Sequence, residues 1–413
     1  GLTAGEIKVL VDGVDITSAA TELNVQLTTA IETANGVKYT LTISNFEESY
    51  EAFIAARNAD TRVYREYSGN VAISIPEGKL VDTSGNKSSD LSIDVGLIDT
   101  LKPEIVKVSS TVDTTAKTET IIFDVTDKYF GTILEGQELL SKLHVFVDEE
   151  AADSVTKEIS LVKTHEEVVD GVTRTVGKRY ALVLSDFEQP GLQSGYRFKG
   201  LSGTVKVTVD AGVATDSNEN VSDATTLAGD FTDLIEPSVI YEFSRPASGV
   251  NSVTIAFEVT DKYYTGGDLT LEDLSLKIQN GTDLSNYIDM KTIPGAKIEF
   301  GVPTNVTNDK PMNKTVNGTV QKELTGQIIG KRYTITISNL QQAKIKDGEK
   351  YLEYSGNVQI DVAKGKVKDQ GNNGNSAQTI IFGINLPEGT GAKENLDIVK
   401  PVWSVDSQVV DLD

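Results

Sequence analysis

The chain is predicted to be all-β, a row of two-sheet sandwiches, and three observations carry that expectation. Its segments are short and alternate apolar with polar residues at period two, as half-buried strands do. Val, Ile, Thr and Tyr, the residues that fit a pleated surface, dominate those segments. A fixed punctuation recurs three times: a strand opening on Ser-Gly, an Asp/Gly/Asn turn, a last strand and an X-Pro hinge. It runs from Ser68 through Asp82-Thr-Ser-Gly-Asn86 to the hinge Asp99-Thr-Leu-Lys-Pro103. It returns over 202–220, leading to Ile235-Glu-Pro237, and over 355–372, leading to Val399-Lys-Pro401.

The marks keep one register. The step from Asp82 to Asp216 equals the step from Pro103 to Pro237. The same step carries Val125-Thr-Asp-Lys-Tyr129 onto Val259-Thr-Asp-Lys-Tyr263. The longer step from Asp216 to Asp369 equals that from Gly-Lys-Arg-Tyr180 to Gly-Lys-Arg-Tyr333, and Gly-Val-Lys-Tyr39 is a weaker third instance. A length of 413 residues admits two to four domains, and the repeat selects three. The expected boundaries are 1–99, a domain lacking its first two strands; 100–234; and 235–385, with an insertion around 265–330. Residues 386–413 are a linker plus strands that begin a next domain or complete a neighbour.

In the first repeat, 5–12 aligns with the third strand of the middle repeat, and 47–57 has helix-forming composition with Tyr50, Phe53 and Ile54 on one side. The middle repeat reads as seven strands: 104–109, 120–127, 143–148, 158–163, 179–186, 204–209 and 225–231. A helical turn is expected at 134–140. Alternation puts Tyr180, Leu182 and Leu184 on one face, and seven short strands in a repeat of this length suit a two-sheet sandwich. The third repeat is longer from hinge to turn, Glu236 to Asp369 against Lys102 to Asp216. The excess lies between Tyr264 and Gly330, where Pro303, Pro311 and several Asn residues indicate a long excursion. In the tail, 397–405 aligns with a first strand and 408–413 with an abbreviated second one. A sandwich short of two strands exposes core and sheet edges, and the tail carries what the head lacks.

Composition narrows the function. There is no cysteine, so disulfides and thiolate chemistry are out. A net charge of −23 repels phosphate backbones and anionic membranes, so nucleic acid is not an expected partner. No apolar run approaches the ~18 residues of a membrane helix. No signal peptide is present and Gly1 is not an initiator, so the expectation is a processed or excerpted piece.

The succession Lys-Pro hinge, Val-Thr-Asp-Lys-Tyr, Tyr-X-Leu-X-Leu, Ser-Gly-X-Val and Asp-X-Ser-Gly-Asn resembles bacterial immunoglobulin-like repeat domains of secreted cell-surface proteins, of the adhesin-stalk and S-layer type. The resemblance covers 5–413. It implies tandem Ig-like β-sandwich domains in an elongated array, on the extracellular face of a bacterial cell.

Candidate chemistry follows. Asp82, Asp216 and Asp369 open loops near domain ends, and Asp99 and Glu236 sit at hinges, so oxygen ligands converging at a linker could hold Ca²⁺. The competing explanation is that each Asp caps its own turn, with Gly85 supplying a positive φ. Asp127 and Asp261 contribute to a second cation site or simply end a strand, with Lys128 or Lys262 outward and the aromatic inward. The latter is favoured. An intramolecular isopeptide crosslink, known in related surface domains, wants an acid after Tyr-X-Leu-X; Ile43, Leu184 and Ile337 hold that place. His144 and His165 have no counterparts in other repeats, and six Asn-X-Ser/Thr sequons, at Asn86, Asn220, Asn280, Asn305, Asn313 and Asn317, are what an Asn- and Thr-rich chain yields by chance.

The expected function is therefore structural and non-catalytic. One form is head-to-tail assembly in which tail residues Ile398, Val399, Pro401, Val402, Trp403, Val405, Val409, Val410 and Leu412 complete the first domain of another copy by strand addition. The alternatives are an excerpt of a long adhesin stalk, its neighbours being repeats of the same chain and its loops or tip binding a glycan or host protein, and an S-layer lattice protein. In the adhesin reading the insertion of the third repeat is the binding surface.

Overall fold

The computed structural model describes residues 2–19, 21–33, 36–189, 191–192, 195–248, 251–279, 286–340, 354–385 and 395–398. The chain is all-β, with one α-helix of nine residues, Tyr50–Asn58, and one of five, Gly136–Leu140, among the described residues. None of the described helices is long and apolar enough to cross a membrane.

The strands fall where period-two alternation puts them. The first repeat forms a four-stranded antiparallel sheet in the order Val14–Asp15, Lys8–Val11, Gly69–Ile75, Leu91–Ile98, and a hairpin of Asn24–Thr33 with Gly36–Ser44. The middle repeat has the corresponding sheet, Glu150–Ala151, Leu143–Val147, Gly203–Val209, Thr225–Thr232. Its second sheet runs Thr156–Val169, Val172–Ser185, Thr118–Thr126, Glu104–Asp113. The third repeat matches it with Ser238–Pro246, Val253–Thr260, Ile328–Ser338 and Lys297–Phe300, against a sheet built on Leu274–Gln279, Gly356–Val362 and Gln378–Ile384. Inward residues of both sheets share one core: Ile255 and Phe257 from the first, Tyr333 and Ile335 beside them, Leu276, Ile360 and Phe382 from the second. Tyr180 stacks on Phe123 with centroids 5.7 Å apart, and Tyr333 on Phe257 at 5.4 Å, the same cross-strand pair in two repeats.

Two local outcomes go beyond the sequence expectations. The strands expected at 158–163 and 179–186 are longer, Thr156–Val169 and Val172–Ser185, joined by Asp170-Gly171 with φ of 53° and 74°. Those positive angles make the two-residue hairpin turn that Asp-Gly favours; the polar run before Asp170 hides the alternation. Part of the excursion of the third repeat is a hairpin. Met312–Val316 and Thr319–Leu324 pair as a hairpin around Asn317-Gly318, and Met312 and Thr315 are buried. The helix expected at 47–57 runs Tyr50–Asn58, capped by the Ser49 hydroxyl accepting from the Ala52 N–H at 3.3 Å, with Phe53 buried.

The chain divides into two compact units: Gly1–Phe146, Ala151–Ser185 and Val205–Asp230 form one, and Val147–Glu150, Asp186–Thr204 and Phe231–Asp413 the other. The second unit thus takes in Asp148, Arg197 and Ser202, whose partners include Lys262, Glu258 and Tyr263 of that unit.

Core completeness differs between repeats at one sheet position. Leu227 is 1% exposed, whereas Ile93, its counterpart in the first repeat, is 46% exposed. Leu227→Ala is expected to cost about 2–5 kcal/mol in urea unfolding of the first unit, and Ile93→Ala about 1 kcal/mol or less.

Candidate metal centres

Three marks of the repeat converge twice. Asp99 stands at the hinge before Glu104–Asp113, Asp127 directly follows Thr118–Thr126, and Asp216 closes Ala214–Asp216. A carboxylate oxygen of each lies within 4.8 Å of the other two. Asp233, Asp261 and Asp369 repeat the arrangement in the second unit, all three buried. In the register of the repeat, Asp233 and Asp261 are the counterparts of Asp99 and Asp127, and Asp369 is the counterpart of Asp216.

Local hydrogen bonds aim the oxygens. Asp216 Oδ1 accepts from the backbone N–H groups of Asn218 and Asn220, both at 2.8 Å. The Asn220 amide donates to Asp216 Oδ2 at 2.6 Å and to the Asp99 carbonyl at 3.2 Å, tying turn to hinge. Asn373 does the same in the second unit, donating to Asp369 Oδ2 at 2.8 Å and the Asp233 carbonyl at 2.9 Å. Asp127 and Asp261 each accept from the N–H two residues on, at 2.7 and 2.6 Å, which holds the carboxylate at the strand end. The Ser68 hydroxyl donates to Asp99 Oδ1 at 2.5 Å.

Three like charges this close repel by about 3 kcal/mol per pair at an effective dielectric of about 20. Burial, then the charges of Asp99 and Asp216, push the Asp127 carboxyl up to about 8. Burial, then Asp369, push Asp233 up to about 7. Asp261 is raised well above the usual range by burial and by Asp233, and burial also raises Asp369. Asp233 is 4% exposed, yet its Oδ1 has no hydrogen-bond partner. A buried carboxylate oxygen left bare beside two other carboxylates fits a bound cation. An all-oxygen donor set of carboxylates with nearby backbone carbonyls suits a hard divalent ion, calcium above all. Lys314, its ammonium 4.9 Å from the Tyr263 ring and pushed down by burial, interacts with Asp261 and Asp233, so the second triad has a cationic neighbour.

Of the residues singled out in the sequence, Asp99, Asp216 and Asp369 enter a triad, and so do Asp127 and Asp261, for which a plain strand end is the favoured expectation. Asp82 forms the same turn, accepting from Ser84 and Asn86 N–H at 2.8 and 2.9 Å, and is exposed, with no second carboxylate grouped with it among the described residues. Glu236 pairs instead with Lys364 at 3.1 Å. The hinge ligand is Asp233, four residues before Pro237 as Asp99 is before Pro103. Ile398 is buried in the core of the third repeat, and the remaining tail residues, Val399 to Leu412, lie outside the described residues. Of the sequons, Asn280 also lies outside them.

The expectation that Lys128 and Lys262 point outward is overturned. Lys128 Nζ donates to Asp12 Oδ2 at 2.7 Å and the Ser68 carbonyl at 2.6 Å. Lys262 Nζ donates to Asp148 Oδ2 at 2.7 Å and the Ser202 carbonyl at 2.8 Å. Each lysine therefore reaches the end of the preceding repeat, where the Ser-Gly of the punctuation explains itself. Gly69 and Gly203 have φ of 156° and 149°, and a Cβ there would fall 2.4 Å from Asp12 Oδ2 or 2.3 Å from the Asp148 carboxylate. The aromatic does turn inward: Tyr129 and Tyr263 are buried, and the Tyr263 hydroxyl donates to Asp148 Oδ2 at 2.6 Å. Thr315 of the inserted hairpin donates to Asp148 Oδ1 at 2.6 Å.

A second pairing runs alongside. Asp124 binds Arg57, accepts from Arg179 Nε and Nη2 at 2.7 and 2.9 Å, and meets His165 Nε2 at 3.2 Å. Burial alone would raise its carboxyl, but these partners hold it well below the usual range. Glu258 takes the same place with Arg197 and Arg332. His165 is thus a buried hydrogen-bond partner of Asp124, and His144 lies 3.3 Å from Asp210. The cleft along the first hinge, about 750 Å³, is lined by charges that pair with one another, Arg65 with Glu47 and Glu104 at 3.1 Å and Lys102 with Asp223 at 2.7 Å.

No protein-family model matches the chain, and no curated protein is similar to it.

Removing either partner of Lys262–Asp148 strands a buried charge, so Lys262→Met is expected to lower the stability of the second unit by about 3–5 kcal/mol in denaturant titration. The triads also set a pH dependence. Without a cation their raised carboxyls bind protons in the fold that the unfolded chain, titrating near 3.8, has released. Stability contributed by these groups is complete below that value and is lost as pH rises through about 7–8. Thermal unfolding in chelator is expected to give a higher midpoint at pH 5 than at pH 8, and calcium is expected to remove most of the deficit at pH 8.

Proposed function

We propose that this protein is a structural, non-catalytic module of a bacterial cell-surface protein: tandem Ig-like sandwiches whose successive joints are stiffened by divalent hard cations. One observation carries the reading. The same five-part joint, made of a hinge Asp, a strand-end Asp, a turn Asp, a lysine on the preceding repeat and an arginine on a buried acid, is built twice, with the three Asp, the lysine and the buried acid in register and the arginine supplied from a different place each time.

The physical logic favours a spacer. Each joint's stability comes from groups contributed by two successive repeats, so a joint cannot bend freely without uncovering buried charge. The cation neutralises carboxylates that otherwise repel, which couples stiffness to external calcium. A setting outside the cell, where such cations are plentiful, and the strongly acidic composition agree with this. The adhesin alternative placed recognition on the insertion of the third repeat. There, Met312 and Thr315 of the hairpin are buried, and Thr315 serves the Asp148 site.

Calorimetric titration of the chelator-treated chain with calcium is expected to show two internal sites, and Asp261→Asn is expected to leave one. At a hundredfold excess over Kd each site adds about 2.7 kcal/mol, roughly 5–10 °C in the unfolding midpoint of a unit this size. Absence of any calcium-dependent heat or midpoint shift would sink the cation reading.

A further inference from the structure

The first repeat is open where the other two are closed. Strand Val172–Ser185 pairs on both sides, with Thr156–Val169 and Thr118–Thr126, and Ile328–Ser338 likewise pairs with Val253–Thr260 and with Lys297–Phe300 and Thr304–Thr307. Their counterpart Gly36–Ser44 pairs only with Asn24–Thr33 among the described residues. Beside that bare edge lies a groove of about 500 Å³, lined by Leu27, Tyr39, Leu41, Ile73, Ile93 and Val95 among others. Leu91, Ile93, Val95 and Leu97 are all exposed on the neighbouring strand. An apolar groove beside an unpaired edge is the geometry that accepts added strands.

We infer that this groove is filled by residues 399–413 of a second copy of the chain. The occupant is chosen by register. In the other repeats the groove-closing strands, Glu104–Asp113 with Thr118–Thr126 and Ser238–Pro246 with Val253–Thr260, follow an Asp-X-X-X-Pro hinge and end in Val-X-Asp. The tail has both marks: Asp397-Ile-Val-Lys-Pro401, then Val409-Val-Asp411. Between them Val402, Trp403, Val405, Val409 and Val410 supply apolar side chains for the groove, and Asp406-Ser407 leaves room for a tight turn in a hairpin shorter than its internal counterparts.

The chain reports on itself, because Trp403 is its only tryptophan. In calcium, sedimentation velocity across a concentration series is expected to show growth to dimers and longer species, with Trp403 emission shifting to the blue in parallel. Ile93→Glu, which charges the groove at an exposed position, and Trp403→Glu, which charges the tail, should each stay monomeric, their apparent association weakened at least tenfold. Mixed together they should form heterodimers and nothing longer, since one intact groove and one intact tail remain. Growth that survives deletion of 399–413, or a wild-type chain that stays monomeric with emission independent of concentration, overturns strand docking; the latter places the tail on its own copy or leaves the groove to chain preceding residue 1.

Discussion

A lysine ammonium held against a carboxylate of the preceding repeat is the interaction on which the joints depend. Lys128 on Asp12 and Lys262 on Asp148 fix where the strand-end loop of one repeat lies on the tight turn after Lys8–Val11 or Leu143–Val147 of the one before. The neighbouring aspartate, Asp127 or Asp261, is one residue away in sequence and is thereby placed facing a hinge and a turn that also carry carboxylates. The ammonium and the carboxylate are thus adjacent residues of one loop. The ammonium pairs with the repeat behind, and the carboxylate faces a triad formed by the hinge and its own repeat. Arg57 and Arg197, clamped on the buried Asp124 and Glu258, prevent rotation about that single point. Such a set of buried charges contributes little net free energy beyond what apolar packing would give, but each member is costly to expose, which favours one geometry.

Much of this was legible because the chain says nearly the same thing three times. Period-two alternation located the strands of the middle repeat, and the Asp/Gly/Asn turns marked three loop apices before any coordinates. The hinge ligand was less legible. Counting back from the proline by adjacency leads to Glu236, which pairs with a lysine, whereas counting by register leads to Asp233, four residues before Pro237 as Asp99 is before Pro103. Asp127 and Asp261 read equally well as strand ends, and they are that too: each accepts a backbone N–H from its own loop while facing the triad. What the sequence could not tell was the direction of the lysines. A charge in a polar loop is ordinarily solvated, and only the three-dimensional path of the preceding repeat brings Asp12 or Asp148 within reach.

The insertion shows the same limit from another side. Its prolines and asparagines signalled a loop, yet Asn317-Gly318 turns a hairpin whose Thr315 hydroxyl and backbone N–H reach the Asp148 carboxylate and the Tyr263 hydroxyl. Extra chain here supports a joint. The second unit consequently encloses the carboxylate of the pair more fully than the first: Asp148 is buried, whereas Asp12 remains partly exposed.

The third repeat departs from the other two at one position. Gln279 stands where Asp12 and Asp148 stand, accepting the Asn357 N–H at 2.9 Å as Asp12 and Asp148 accept from Asn70 and Thr204. In the tail, Leu412 follows Val409-Val-Asp411 where Lys128 and Lys262 follow their Val-Thr-Asp. Both members of the ion pair are replaced by neutral residues. Ionic strength and acidity, which act on the two internal joints through their charges, have no such handle at that position. Docking of a tail at that position would rest on apolar fit and hydrogen bonds, which high salt strengthens, whereas the internal lysine contacts gain nothing from it.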